Sequence, residues 1–348
     1  MRVIQFVDVF SDHDGIGNDI KGFDELFKEN KVDTQILTRV NNSKSTKISL
    51  LEEFKSKSDD INILHYGGAG FPLDFFFGLN GKKILRFHNI TPIYRYTNFI
   101  DKELLNSLEK NYSLSELELF SMNENLDWIF HDSKYNQKCY HQISKTSISS
   151  RESILPILRK YSIKNDSKTN SNLAFVGRWA PNKHIEDILF LFYFYKKLEP
   201  NSKLLLIGKK NRVFQKYTNY IESCISNLNL TDSVQIFETL NDEEVNEKLS
   251  SCKFYISMSD HEGFGIPILE AIAKNLLVIA YRSKAIQEII QGNLIFKRKN
   301  FPVLAELIYS LNQDNEKYSL LKLEQKKRLD VYLNYPFKEM IFTVINKL

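Results

Sequence analysis

The residues best suited to chemistry stand in two short segments of the second half of the chain. The first is Ser259-Asp260-His261-Glu262-Gly263-Phe264-Gly265-Ile266-Pro267-Ile268-Leu269-Glu270-Ala271. A β-rich run, Phe254 to Met258, precedes it, two glycines turn the chain, and the proline suits the first turn of a helix, where its missing N–H would have no partner anyway. Backbone N–H groups of Gly263, Phe264 and Gly265 at a helix start can approach a diphosphate closely, and the helix dipole favours its charge. Glu270, a turn or two further on, can accept hydrogen bonds from two vicinal hydroxyls such as those of a ribose, or simply complement the dipole. Glu262, before the turn, can meet a second polar group of a ligand. The other segment is Phe175-Val176-Gly177-Arg178-Trp179-Ala180-Pro181-Asn182-Lys183. Arg178 and Lys183 there can face one crevice and neutralise a diphosphate, or remain two solvated surface cations. Spacing alone leaves both readings open for each segment.

Such segments need strands that end beside them. Short β-branched runs alternate with longer amphipathic stretches through most of the sequence, which argues for βαβ units around parallel sheets and an α/β fold. In the first half the strands are expected at Val3 to Val9, Thr34 to Leu37, Ile61 to Tyr66, Lys83 to Phe87 and Trp128 to His131, five in one sheet. Residues 160–172, KYSIKNDSKTNSN, have almost nothing to bury and read as a linker. The alternation then restarts, with strands at Leu173 to Val176, Lys203 to Ile207, Ser233 to Phe237, Phe254 to Met258, Leu277 to Ala280 and Asn293 to Phe296. The expectation is two Rossmann-like open parallel-sheet domains, 1–159 and 173–330, facing a central cleft, with ligands at the carboxyl ends of the strands. The chain reads as helical from Leu320 to Leu348 with an interruption at Pro336, a stretch that could pack across either half, with 331–348 a candidate to pack back on the N-terminal domain.

Composition narrows the class. With 348 residues, 43% of them hydrophobic, the chain can bury one large core or two ordinary ones. A net charge of +4 with 26% charged residues lacks the one-sign blocks of disordered arms, and no nucleic-acid partner is expected. Cys139, Cys224 and Cys252 are scattered and odd in number, so neither a disulfide framework nor a zinc knuckle is indicated. The start, MRVIQFVDVF, has no secretion signal, which points to the cytoplasm. The apolar run Ile188 to Tyr195 is too short to span a bilayer and reads as a buried helix. Gly67-Gly68-Ala69-Gly70 lacks the Lys-Ser/Thr of a P-loop, and Asp14 to Ile20 lacks the third glycine of a nicotinamide-binding loop. His131, Cys139 and His141 show no ligand spacing and read as structural. Lys326-Lys327-Arg328 reads as a solvated helix face.

Taken together, VGR-x-x-P-N-K (Val176 to Lys183) and E-G-F-G-x-P-x-x-E (Glu262 to Glu270) resemble glycosyltransferase family 4. That resemblance implies the GT-B arrangement of two Rossmann-like halves and retention of anomeric configuration. It covers most of the second half, with LLLIGKK (Leu204 to Lys210) where the family has its next strand and glycine. By resemblance Arg178 and Lys183 bind the donor diphosphate, Glu270 binds the nucleotide ribose, and Glu262 with the Gly263-Phe264-Gly265 backbone holds the donor sugar and phosphate. His184 stands where the family usually has glycine. In the first half, Asp14-Gly15-Ile16-Gly17-Asn18 resembles the glycine loop facing the donor phosphate. Arg86-Phe87-His88-Asn89-Ile90-Thr91-Pro92 resembles the active-site turn after the fourth strand, and Asp132-Ser133-Lys134-Tyr135-Asn136 an element after the next one. The resemblance gives His88 a contact with donor sugar or acceptor, and makes Gly67 to Gly70 an acceptor-side loop.

The implied reaction is transfer of a hexosyl unit from a nucleoside-diphosphate sugar to a glycan or lipid-linked acceptor, in surface polysaccharide or glycoconjugate synthesis. Arg178, Lys183, Glu262 and His88 would act at the reacting centre, and Gly15, Gly17, Gly263, Phe264, Gly265 and Glu270 on the donor. No Asp-x-Asp metal motif stands in a matching loop, so no metal or other cofactor is expected. The expected setting is cytoplasmic, with peripheral contact at the inner face of the membrane. Competing readings are a nucleotide-sugar epimerase of the same fold, a glycogen-type phosphorylase, for which no pyridoxal-lysine context is found, and a nucleotide-sugar-binding module without turnover.

Overall fold

The computed structural model describes residues 1–12, 14–43, 48–51, 54–147, 149–163, 170–292 and 294–348. Residues 164–169 of the expected linker, and Asn293 at the start of the last expected strand, lie outside them. The chain forms two compact units, one of Met1–Pro92, Asn106–Lys160 and Tyr335–Leu348, the other of Ile93–Leu105 and Tyr161–Asn334. This division differs from contiguous stretches, because residues 93–105 group with the second unit.

Strands of the first unit are β1 (Arg2–Phe10), β2 (Asp33–Asn41), β3 (Ser49–Leu50), β4 (Asp60–Tyr66), β5 (Lys82–Phe87), β6 (Trp128–His131) and β7 (Glu152–Ile154). They pair in parallel in the order β3-β2-β1-β4-β5-β6-β7. The sheet thus has seven strands among the described residues, not the expected five. The two additions are edge strands of two and three residues, too short for an alternation pattern to register. Helices α1 (Gly15–Glu29), α2 (Leu73–Gly78), α3 (Lys102–Met122) and α4 (Lys134–Ser144) accompany it. Successive strand residues point to opposite faces, so Leu64, Leu85 and Ile129 enter one apolar cluster while Ile63, Ile84 and Phe130 enter the other.

The second unit contains β8 (Leu173–Val176), β9 (Leu204–Ile207), β10 (Val234–Phe237), β11 (Phe254–Ser257), β12 (Leu277–Tyr281) and β13 (Ile295–Phe296), again parallel, in the order β10-β9-β8-β11-β12-β13. Its helices are α5 (Ile185–Leu198), α6 (Gln215–Asn227), α7 (Asp242–Ser250), α8 (Ile266–Ala273), α9 (Lys284–Ile289), α10 (Phe301–Gln313) and α11 (Asn315–Leu333). The apolar run near Ile188 is the buried face of α5, packed with Leu173, Leu204, Phe254 and Leu277 of the sheet. Where β13 is too short to pair with all of β12, the Gln325 amide of α11 substitutes for a strand. It donates to the Val278 carbonyl at 2.7 Å and accepts from the Val278 N–H at 2.9 Å. The last helix, α12 (Phe337–Lys347), lies in the first unit, where Ile341, Val344 and Ile345 join Phe23, Phe27 and Trp128. No helix among the described residues is long and apolar enough to cross a membrane.

In both sheets the strand order reverses direction about the unit's first strand, between β1 and β4 and between β8 and β11. Loops leaving the carboxyl ends of strands diverge at such points and leave a crevice for a ligand.

Candidate functional site

In the second unit the loops after β8 and β11 bring the two sequence segments together. The loop after β8 approaches its neighbour closely because both positions are glycine. A Cβ on Gly208, at φ +143°, would lie 2.0 Å from the Gly177 carbonyl oxygen, and one on Gly177 would lie 2.8 Å from the Phe175 ring. Pro181–Lys183 form a 3-10 turn that ends on His184 in the left-handed region, φ 48° and ψ 53°. After β11, Gly265 caps α8 at φ 100°, and Pro267 stands in the first turn.

Residues 182–184 are stitched to residues 260–262. The Asp260 N–H donates to the Asn182 carbonyl at 3.2 Å, and the Asn182 side chain donates to the His261 carbonyl at 3.2 Å. Lys183 Nζ reaches both oxygens of Glu262 at 2.7 Å. His184 Nε2 lies 3.0 Å from Asp260 Oδ2, an oxygen that also pairs with Arg95. Arg178 is exposed and makes no ion pair among the described residues, so its guanidinium is available to an anion. Glu270, half-buried on α8, and Glu262 both act on the Tyr255 phenol, whose hydroxyl donates to the Val176 carbonyl at 3.1 Å. Burial first, then the Glu262 and Glu270 charges, push that phenol well above its usual range. Burial likewise holds His261 down to about 4, so it is neutral. His184 goes the other way: burial opposes its charge, but hydrogen bonds to Asp260 and Glu186 outweigh it and push the ring up to about 9.

In the first unit Asp14 caps α1, its carboxylate accepting from the Gly17 N–H at 2.7 Å. Gly15 opens that helix, and a Cβ on Gly17 would fall 1.8 Å from the Ser11 carbonyl oxygen. His88, just past β5, has its side chain 4% exposed. A buried chain of bonds fixes it. Gln5 Nε2 donates to the Ile20 carbonyl at 3.2 Å, which leaves Gln5 Oε1 to accept from His65 Nε2 at 3.0 Å. Burial, then His88 and Arg86, keep His65 far below its usual range and therefore neutral, so its Nδ1 accepts from His88 Nε2 at 3.1 Å. His88 Nδ1 then faces Asp132 Oδ2 at 3.3 Å. Arg86 Nε bonds Asp19 at 2.7 Å, and its Nη2 reaches Asp132 at 2.9 Å. Asn136 ties Asp132 to Asn89, whose φ of 71° makes the sharp turn after His88.

Sequence reasoning did not find His65, Asp19, Asp260 or Arg95. His65 had a signal in the sequence, a titratable residue within the apolar run Ile63 to Tyr66, and the structure buries it with the rest of the strand. Among the described residues three groups have donor sets of the kind that ligate cations: the buried Asp19 with His65 and His88, the partly buried His131 with His141 and Glu152, and the half-buried His184 with Glu186 and Asp187. In the first, Asp19 is engaged by Arg86. In the second, Glu152 Oε2 accepts from His131 at 2.8 Å and His141 at 3.0 Å. Burial alone would raise that carboxyl, but bonds from His131, the Ser149 N–H and Gln137 hold it at about 2. It works as a clamp between β6, α4 and β7. Cys139 packs elsewhere, in the apolar cluster with Phe87 and Tyr140.

Two parallel α/β units with diverging loops at their switch points are the GT-B architecture of glycosyltransferases. The fold matches the crystal structure of Anabaena HepE in complex with UDP and glucose, over 100% of both chains, with a TM-score of 0.75 and 14% identity. It also matches WaaG, a glycosyltransferase involved in lipopolysaccharide biosynthesis, over 99% of both chains, with a TM-score of 0.68 and 14% identity. Residues 159–328 match the family "Glycosyl transferases group 1". A curated relative, the GDP-mannose:cellobiosyl-diphosphopolyprenol alpha-mannosyltransferase of Xanthomonas oryzae pv. oryzae (strain PXO99A), is 25% identical over 122 residues, 35% of this chain. The matched stretch spans 31% of that relative's length.

Proposed function

We propose that the protein is a retaining hexosyltransferase that takes a sugar from a nucleoside diphosphate and passes it to a hydroxyl of a glycan or lipid-linked acceptor. The observation that carries this reading is the Lys183–Glu262 contact at the mouth of α8. There a cation, the exposed Arg178 and the peptide N–H groups of Gly263 to Gly265 lie on loops at a sheet switch point. Breaking the anomeric C–O bond moves negative charge onto the diphosphate, and in this reading these donors receive it. Glu270 binds the ribose hydroxyls, and Glu262 orients Lys183 and the sugar. Within the first unit, this reading assigns to substrate His88, whose ring is held by His65 and faces Asp132, and the Gly15 to Gly17 turn. In the transfer the anomeric carbon loses its bond to the phosphate oxygen and gains one to the acceptor oxygen on the same face. The acceptor proton passes to the departing phosphate. Positive side chains and peptide dipoles carry the charge in this reading, so it calls for no metal.

Names of relatives supply the first donors to try, GDP-mannose from the Xanthomonas enzyme and UDP-glucose from the HepE complex. A lipid-linked acceptor brings the protein to the inner face of the membrane, and exposed Leu114, Leu117 and Phe120 along α3 suit peripheral contact there. The test is to incubate the protein with UDP-, GDP- and ADP-hexoses and polyprenyl-diphosphate-linked sugars, and follow nucleoside-diphosphate release and product anomers by NMR. Acceptor-dependent release with a product of the donor's own anomeric configuration is expected. An inverted product contradicts the mechanism, and an epimerised free donor favours the epimerase reading.

A further inference from the structure

His184 is not one of the groups assigned to the donor above, yet the geometry gives it work at that site. We propose that His184 is a positioning residue: as an imidazolium bridging Asp260 and Glu186, it locks the loop that carries Lys183 onto the loop that carries Glu262. The proposal rests on the donor-site reading of those two loops. Both ring nitrogens face carboxylates, Nε2 at 3.0 Å from Asp260 Oδ2 and Nδ1 at 3.0 Å from Glu186 Oε1, with Asp187 Oδ2 at 3.6 Å. A neutral imidazole has one donor and one acceptor nitrogen, so only the doubly protonated ring satisfies both sides.

The charges around the ring agree. Asp260 comes from the loop after β11, and Glu186 and Asp187 from the first turn of α5. Against these three carboxylates stand Arg95 on Asp260 and Lys299 on Asp187 at 2.5 Å, while the Tyr217 hydroxyl of α6 donates to Glu186 at 2.5 Å. Two cations against three carboxylates leave one charge for the histidine to balance. The backbone points the same way. At φ 48° a side chain is strained, and a position that only turned the chain would be better served by glycine. The strain is tolerated where the side chain does something a glycine cannot. With the ring raised from its ordinary 6.5 to about 9, its contribution to the fold is complete below about pH 6.5 and is lost as pH rises through 9.

The experiment measures nucleoside-diphosphate binding by calorimetry from pH 7 to 10, with UDP and GDP as probes, on the wild type, His184→Gly and His184→Gln, alongside ring-nitrogen NMR of labelled histidine. Glycine fits the backbone, and glutamine keeps one hydrogen bond without a titrating charge. The wild type is expected to lose affinity as pH rises through about 9. Both variants should bind about tenfold weaker at pH 7, the worth of one charge-assisted contact, and lack that pH step while unfolding cooperatively. Wild-type affinity and an unchanged pH profile in His184→Gly would overturn the proposal. If the wild type binds neither nucleotide, the donor-site reading fails, and NMR still decides the bridge: both ring nitrogens protonated at pH 7.5 uphold it, a neutral ring refutes it.

Discussion

Lys183 sits equidistant, at 2.7 Å, from the two oxygens of Glu262, a symmetric grip that holds an ammonium group at one point between two loops. A charge fixed before the reaction needs no reorganisation when the diphosphate departs. Lys183→Ala should therefore lower kcat by about 10² to 10³-fold, the usual loss on removing one preorganised donor, with a smaller change in KM. Near-normal turnover in steady-state assays would remove Lys183 from the leaving-group role. The residues of this pair are legible in the sequence because each follows a strand end by a few residues with glycine close by, Gly177 before Lys183 and Gly263 after Glu262. His65 and Asp260 are not legible in the same way. His65 meets His88 only because β4 and β5 pair in a register that sets His65 opposite Arg86, and Asp260 meets His184 only because β8 and β11 are neighbours. Such partners are 23 and 76 positions apart in the chain and depend on sheet order, which local spacing does not encode.

At the level of elements, the internal strands could be read because parallel strands buried on both faces appear as short continuous apolar runs. β3 and β7 escaped because edge strands of two and three residues bury little. α12 illustrates the opposite case, a helix whose period is clear but whose docking place is decided by packing. Ile341 is fully buried among Phe23, Phe27 and Trp128, and Tyr335 ahead of the helix donates to the Ile154 carbonyl of β7 at 2.9 Å. Ile341→Ala should cost about 2 to 5 kcal/mol by leaving a cavity against the first sheet. Urea unfolding with the m-value unchanged is the check, and a cost within about 0.5 kcal/mol would show that α12 contributes little to that core.

Across the whole chain, neither half of the sequence makes up a compact unit by itself. The first unit takes back residues 335–348, and the second takes residues 93–105, the segment after β5 that runs into the first turn of α3. In that crossing segment Tyr96 packs on Phe214 with ring centroids 4.9 Å apart, Phe99 packs on Tyr217 at 4.8 Å, and Arg95 pairs with Asp260 beside the Lys183 loop. The residues that follow the His88 turn in sequence are thus built into the unit that carries Lys183, Glu262 and Glu270. The proposed function assigns a single ligand class, a nucleoside diphosphate, to these three groups. The most direct test is calorimetric titration of the wild type and Glu270→Ala with UDP, GDP, ADP and NAD. One nucleoside diphosphate should bind the wild type, bind Glu270→Ala at least about tenfold more weakly through loss of a charged hydrogen-bonding partner, and be preferred to NAD. A cooperatively folded protein that binds none of the three nucleoside diphosphates, or that prefers NAD, would contradict the assignment of the donor site.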